Sequence, residues 1–442
     1  MLGWEFPPFI SGGLGTACHG LTKGLDQIGV DVIFTVPMSV PQDVASHVTL
    51  RSPSTLLSPP HKSRAGAARG REEKIFKHLT VHVLPAVIQP YSTPTTYKQT
   101  IEQLRKENKL PVPEVEGMPA GAPVAGITST APQAGGYGGD LMSQVRRYAA
   151  LAVELANRES FDVIHAHDWM TYPAGLAVAA YSGKPLVVHV HSTEFDRSGE
   201  NVWQPVYEIE RAGMHGADKV ICVSYLTRRI VLNRYNVPPE KVEVVYNAVE
   251  NNGHSEWDIT PIARDEKIVL FLGRITLQKG PEYFIQAAKK VLDRYKKVRF
   301  VVAGSGDMIG RIIEMAANLG IGRFVTFTGF LRGDDVARIF RMADVYVMPS
   351  VSEPFGIAPL EALSHNVPTI ISKQSGCSEV LRHVLKVDFW DTDEMANKIL
   401  AVLRHPPLQR VLRQQAKFDL RKLSWRDSAE KCKRIYESVV GG

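Results

Sequence analysis

The sequence is poor in cysteine, has no long apolar run and carries little excess charge. Its four cysteines, Cys18, Cys222, Cys377 and Cys432, stand far apart and form no CxxC pair. Neither a zinc site nor a disulfide framework is indicated. No apolar stretch approaches the roughly 20 residues that cross a bilayer. The first residues, MLGWEFPPFISGG, lack the basic start and apolar core of a signal peptide, so a cytosolic protein is expected. With 44% hydrophobic and 22% charged residues, a disordered chain, a collagen-like fibre and a coiled coil are excluded.

The net charge is +6 over 442 residues, and it is unevenly spread. Between Arg404 and Arg434 lie ten Lys/Arg and three Asp/Glu. A solvated helical face accounts for such a run; attraction to anionic lipid or an acidic partner is the sharper reading. Nucleic acid is not expected, because the run has few aromatics to stack on bases.

What the sequence does contain is two series of short β-branched runs alternating with helical patterns. The first comprises Val30–Val36, Leu79–Val87, Phe161–His167, Pro185–His191 and Lys219–Ser224. The second comprises Lys267–Gly273, Arg299–Gly304, Val325–Gly329, Asp344–Ser350 and Pro368–Ser372. Such runs suit parallel strands covered on both faces, and their alternation with helices implies βαβ units. The fold class expected is α/β, with two Rossmann-like doubly wound domains. Chain length agrees, since one hydrophobic core rarely serves so many residues. The polar stretch Asn251–Glu266 marks the seam, which gives domains at 1–255 and 256–424. A closing helix at 425–442 places Trp425, Ala429, Cys432, Tyr436 and Val439 on one face. Arg51–Arg71 and Leu110–Gly139, rich in Gly, Pro and small residues, read as long loops.

Four constellations could carry chemistry. Ser11-Gly12-Gly13-Leu14-Gly15-Thr16 fits a strand-to-helix turn where backbone N–H groups meet a phosphate, or simply a tight turn. Arg274 and Lys279 follow a strand, where an open α/β sheet faces its ligand crevice, and two cations there suit a diphosphate. Glu353-Pro354-Phe355-Gly356-Ile357-Ala358-Pro359-Leu360-Glu361 leaves a strand and enters a helix near Pro359. Its free N–H groups can hold an anion, Glu353 would project into the cleft, and Glu361 can take the hydroxyls of a ribose. The last group lies at strand ends: His165, His167 and Asp168 in HAHDWM, then His189, His191 and Glu194 in HVHSTEFD. His167, Asp168 and His191 would point into one crevice and bond sugar hydroxyls. A metal site is the competing reading. His165 and His189, one step further in, read as satisfied core histidines.

Together, PPFISGGLGT, HAHDW, HVHSTEFD, GRITLQKG, EPFGIAPLE and the terminal LSW…Y helix resemble retaining glycosyltransferases of the GT-B fold, the group that includes glycogen and starch synthases and many family 4 enzymes. The resemblance covers nearly the whole chain. It implies two domains facing a cleft, acceptor on the N-terminal side, nucleotide-sugar donor on the C-terminal side, and a last helix that crosses back. It implies that Arg274 and Lys279 bind the donor's phosphates, and that Glu353 faces the transferred sugar and Glu361 the ribose. The segment Phe355–Ala358 would hold sugar hydroxyls and phosphate through its backbone. His191 and Asp168 would hold the sugar at the reaction centre, with His167 and Glu194 beside them and Gly12 and Gly13 near the phosphates. No metal or other cofactor is implied. Three positions depart from the pattern: Ile10 replaces the lysine usual in bacterial and plant glycogen synthases, the first strand is cut to Met1–Gly3, and Ser375–Glu379 replaces a Gly-Gly pair. Two rivals stand beside this reading: a family 4 enzyme building a glycolipid or envelope glycan, and a non-catalytic nucleotide-sugar-binding protein. A phosphorylase would need a pyridoxal-binding lysine, and a dinucleotide oxidoreductase a GxGxxG in the first βαβ unit.

Overall fold

The structure, a computed structural model, describes residues 1–6, 12–37, 50–51, 78–84, 139–249 and 266–441. Ile10, Ser11, nearly all of both long loops and nearly all of the Asn251–Glu266 seam lie outside the described residues. The strands are β1 (Val32–Pro37), β2 (Leu50–Arg51), β3 (Leu79–Leu84), β4 (Ile164–His167), β5 (Leu186–Val190), β6 (Lys219–Cys222) and β7 (Val242–Val244). They continue with β8 (Lys267–Leu272), β9 (Val298–Ala303), β10 (Val325–Gly329), β11 (Val345–Met348), β12 (Thr369–Ser372) and β13 (Leu385–Val387).

Every strand pair among the described residues is parallel. The second half forms one sheet in the order β10-β9-β8-β11-β12-β13, the doubly wound order in which connections leave the middle in opposite directions. In the first half, β2-β3-β1 and β4-β5-β6-β7 are joined by the first three residues. Leu2 bridges to Thr35 on one side and Ala166 on the other. Its N–H donates to His165 O at 2.7 Å, and its carbonyl accepts from His167 N at 2.9 Å. Met1–Gly3 thus takes the place of the central strand, short as it is. Both sheets have a switch point, between Leu2 and β4 in one and between β8 and β11 in the other. Ligands of open α/β sheets settle outside the strand ends at such points.

Strands β2, β7 and β13 were not legible in the sequence. They are two or three residues long, and LR, VEV and LKV contain no continuous apolar run. The last helix, Trp425–Val440, packs on the first, Gly13–Gln27. That approach depends on two glycines. A Cβ at Gly20 would lie 2.0 Å from the Trp425 indole, and one at Gly24 would lie 2.3 Å from the Trp425 carbonyl oxygen. The face Trp425, Ala429, Cys432, Ile435 and Tyr436 is buried, and the Tyr436 hydroxyl reaches His165 Nδ1 at 2.6 Å. The C-terminal helix therefore crosses back to the first sheet. Among the described residues no helix is long and apolar enough to cross a membrane.

Candidate active site

The second switch point is built by the turns after β8 and β11. After β8 the chain forms a single turn of 3-10 helix, Leu277–Lys279. Buried Gln278 anchors that turn, its carbonyl accepting from Val351 N at 2.9 Å and its side chain from Arg274 Nη2 at 3.0 Å. Lys279 Nζ donates to Glu353 Oε2 at 2.5 Å, and the same oxygen accepts from the Ser350 hydroxyl at 3.2 Å. Glu353 is buried and Lys279 half-buried. Gly356, at φ 100°, turns the chain into helix Ile357–Ser364. A side chain there would be strained and would press on Cys377 Sγ and Glu353 at 3.2 Å. No side chain caps this helix, so its first N–H groups are open to an anion.

One turn along sits Glu361, half-buried. Burial raises its pKa from the usual 4.5 to about 7. Phe355 is buried and stacks toward Tyr246 of the first half, ring centres 5.9 Å apart, while Ile357 and Ala358 are half-buried.

The first switch point is built by the turns after β4 and β5. Asp168 lies in the left-handed region at φ 60°, an uncommon conformation for a residue with a side chain and one often found at functional sites. Its Oδ1 accepts from the backbone N–H of His191 at 2.7 Å and of Ser192 at 3.2 Å. Burial pushes its pKa up to about 7, against the pull of Arg197 and those two N–H donors. His191 is half-buried, and its Nε2 lies 3.0 Å from Nδ1 of fully buried His167. Burial holds His191 down to about 3 and His165, His167 and His189 well below the ordinary histidine range, so all four imidazoles are neutral.

Placement separates the expected residues into those that face the crevice and those that brace it. Lys279 and Glu353 meet directly, and Asp168 and His167 both hold His191. Glu194, by contrast, is buried with its carboxylate fully engaged. It accepts from Arg197 Nε at 3.1 Å, Ser198 Oγ at 3.0 Å and Trp203 N at 3.1 Å. Gly12 precedes the helix Gly13–Gln27 without a side-chain cap, and nothing lies within 4 Å of a Cβ built at Gly13. The reading of His165 and His189 as satisfied core residues needs correction. His165 is bonded only through Nδ1, and neither nitrogen of His189 has a partner. Residues two apart on a strand share a face, so the HxH spacing stacks rings on one another instead of giving each a polar neighbour.

Several residues escaped the sequence reading. Glu5 is buried beneath the glycine turn and accepts from Gly15 N at 3.0 Å. Asp196 caps its own turn at Thr193 and accepts from Ser352 Oγ at 2.5 Å, one residue from Glu353. Glu210 holds Arg197 and the Tyr235 hydroxyl. Glu379, from the second half, accepts from Tyr225 N at 2.9 Å and Leu226 N at 2.7 Å and binds the Tyr246 hydroxyl. Local pattern could have suggested only Asp196, as the last acid of the STEFD turn; the others act across 10 to 154 positions.

Comparison with known proteins bears on the family and the fold. Residues 256–418 match the model of glycosyl transferases group 1, and residues 126–252 match that of glycosyltransferase family 4. An uncharacterised glycosyltransferase of Methanocaldococcus jannaschii is 33% identical over 300 residues, 64% of this chain and 76% of that one. An Escherichia coli UDP-Gal:alpha-D-GlcNAc-diphosphoundecaprenol alpha-1,3-galactosyltransferase is 26% identical over 56% of this chain and 68% of its own. Among solved structures, sucrose-phosphate synthase from Thermosynechococcus elongatus superposes with a TM-score of 0.71 at 18% identity, covering 100% of this chain and 98% of that one. Anabaena HepE in complex with UDP-glucose follows at 0.61 and 18%, covering 82% and 92%. These likenesses in structure establish the architecture, and the relatives in sequence establish the kinship. The chain belongs to the group 1 glycosyltransferases and has their GT-B fold.

Proposed function

We propose that this enzyme transfers a hexose, glucose before any other, from an ADP- or UDP-sugar to a glucan-like or other sugar acceptor, with retention at the anomeric carbon. The donor would sit on residues 256–424 and the acceptor on residues 1–255, with helix 425–442 tying one to the other. The observation that carries this reading is the Lys279–Glu353 pair, with Arg274 bonded to neighbouring Gln278 and the uncapped start of helix Ile357–Ser364 close after Glu353. An ammonium has three donors, so Lys279 can keep Glu353 and still reach a phosphate oxygen. Arg274 offers a planar fork to the same diphosphate. These cations and the helix start neutralise charge on the leaving group, which is greatest in the transition state. No divalent ion is required at the phosphates on this reading.

Glu353 would bond a hydroxyl of the transferred sugar and Glu361 the ribose. His191, held by Asp168 and His167, would fix the sugar from the opposite wall. Retention without an enzymic nucleophile is served by same-face attack, in which the departing diphosphate takes the proton of the incoming hydroxyl. The hydrogen bond from Ser352 to Asp196 joins the two walls beside the reaction centre and helps exclude water.

The test is a panel of ADP-, UDP- and GDP-sugars, read by thermal shift and then by nucleotide release with an acceptor. UDP-glucose comes first, because HepE was solved with it. A shift for one donor, and nucleotide release on adding glycogen, supports the reading. A bound donor that is never turned over supports a non-catalytic sugar-binding protein instead, and no shift with any donor removes the donor site.

A glycolipid acceptor is the second reading, and one surface favours it. On helix Pro406–Leu420 and just after it, Arg410, Val411, Lys417, Phe418 and Arg421 are exposed on one stripe. Asp419 is turned inward, accepting from Arg382 N at 2.7 Å and His383 N at 2.8 Å. Cations flanking exposed Val411 and Phe418 suit an anionic bilayer surface. Co-sedimentation with phosphatidylglycerol vesicles, lost in an Arg410→Glu/Lys417→Glu variant, would support it; equal recovery with phosphatidylcholine vesicles would not.

A further inference from the structure

β4 and β5 lie side by side with His167 opposite His189. His165, His167, His189 and His191 therefore project from one face of the sheet at alternate positions. Their rings form a continuous stack. Centres are 4.3 Å apart for His165 and His167, 5.3 Å for His167 and His189, and 4.2 Å for His189 and His191. The first three residues named in that row, His165, His167 and His189, are all at most 2% exposed.

The polar atoms of these three rings are unevenly served. Nε2 of His165, Nε2 of His167 and both nitrogens of His189 are buried without a hydrogen-bond partner. Buried polar atoms are nearly always paired, and three orphaned imidazoles in one cluster call for an occupant. The paired atoms point the same way. His165 Nδ1 meets the Tyr436 hydroxyl at 2.6 Å, and His167 Nδ1 meets His191 Nε2 at 3.0 Å. One nitrogen free and the other held by an outer partner, as in His165 and His167, is the arrangement of metal-binding histidines; His189 has both nitrogens free. One ligand atom from each of His165, His167 and His189 lies within 4.8 Å of the other two. Tetrahedral zinc, with bonds of about 2.0–2.1 Å, needs ligand nitrogens about 3.3 Å apart. The ring planes are 27°, 7° and 29° apart, so the rings must also turn about the Cβ–Cγ bond, a broad torsion, to aim their in-plane lone pairs at one ion.

We propose that His165, His167 and His189 bind one divalent transition-metal ion, zinc by their chemistry, as a strut behind the reaction centre. An all-imidazole set selects zinc, nickel or copper over magnesium or calcium. The ion is separate from the donor phosphates, whose charge falls to Arg274 and Lys279. Its effect runs in two directions. It sets the ring of His167, and through it His191; and through Tyr436 it ties helix Trp425–Val440 to β4.

The experiment uses the full chain stripped with a chelator and then given zinc chloride or cobalt chloride alone, with no sugar. One equivalent of metal retained per chain through gel filtration is expected, with the visible absorption of tetrahedral cobalt. At a hundredfold excess over the dissociation constant the melting temperature should rise by about 3 °C. His189→Gln and His165→Gln, each checked for native circular dichroism, should lose metal and shift together, while His191→Gln, which removes only the outer partner of His167, should still bind one equivalent, more weakly. Wild-type protein that retains no metal overturns the proposal without any variant. So does retention that survives His189→Gln and His165→Gln, or that is lost in His191→Gln alone, which would place the ion at the alternative grouping of Cys18, His167 and His191.

Discussion

Replacing Glu361 by glutamine separates what the carboxylate costs the fold from what it gives the donor. Burial raises its pKa from 4.5 to about 7. A folded-state pKa above the unfolded one means that the native protein binds the proton more tightly. Stability is therefore greatest below about pH 4.5, falls as pH rises toward 7, and is level above it. The gap between those two values corresponds to at most about 3 kcal/mol, and to less because Glu361 is half-buried and partly reached by water. Glutamine has nearly the same shape and no charge. The variant should match the parent near pH 4.5 and exceed it by about 1–3 kcal/mol at pH 8. Donor binding should move the other way. Two hydroxyls bonded to a carboxylate are worth about 1.5–3 kcal/mol more than to a neutral amide, so affinity for a nucleotide sugar should drop roughly tenfold to a hundredfold. In the parent, kcat/KM should fall as pH drops below 7; in the variant that limb should flatten. Thermal melts at pH 5 and 8, with calorimetric titration of UDP-glucose and ADP-glucose, read both halves. A variant no more stable than the parent at pH 8 refutes the burial argument, and unchanged donor affinity refutes the ribose role.

Lys279→Ala should lower turnover by about 100- to 1000-fold while donor affinity changes by less than about tenfold, because leaving-group charge peaks in the transition state; equal losses in both would remove Lys279 from that role. Gly20→Ala should destabilise by about 1–3 kcal/mol, since a Cβ 2.0 Å from the Trp425 indole forces the first and last helices apart, and an unchanged melting temperature would show that the contact is not as close as described. Glu379→Gln weakens a helix cap that spans the two halves and should cost about 0.5–1 kcal/mol; if that cap also sets the approach of the two walls, kcat/KM should fall several-fold with little change in melting temperature, whereas unchanged kinetics would make it a cap alone.

How much of this was legible before the structure depended on the range of each interaction. Strand runs and post-strand loops are local, so the turns carrying Arg274, Lys279 and Glu353, and the helix carrying Glu361, could be placed after strands from spacing alone, and the described chain has them after β8 and β11. What spacing could not reveal is which polar groups find each other. Glu194 reads as a crevice residue in HVHSTEFD, yet Arg197, three positions on, draws its carboxylate inward. His189 reads as a satisfied core residue, yet nothing bonds it, because its neighbours across the strand pair are other imidazoles. Met1–Gly3 looks too short for a strand, but three residues suffice: the N–H and carbonyl of Leu2 bond β4, while Met1 O and Gly3 N bond Thr35 of β1.

The division between the two walls of the cleft also decides how catalysis can be controlled. Each wall is rigid on its own, because its functional turns hang from the middle of a parallel sheet. Among the described residues the polar bonds between them include Ser352 to Asp196, Ser224 to the carbonyl of Pro354, and Glu379 to the start of helix Tyr225–Tyr235, and Phe355 packs beside Tyr246. Polar contacts of this kind are each worth only about 1 kcal/mol net, and the apolar cluster that includes Val223, Ala248, Phe355 and Leu360 runs through both halves. All three polar bonds involve the SEPFG turn or the Gly376–Glu379 segment packed against it, where Gly376 N donates to Glu353 O at 2.9 Å. A donor that engages Glu353 and the helix behind it therefore acts on the same turn that holds the walls together. On the proposed function, closure and donor binding would share one structural element, so that the reacting atoms are aligned when a donor is present.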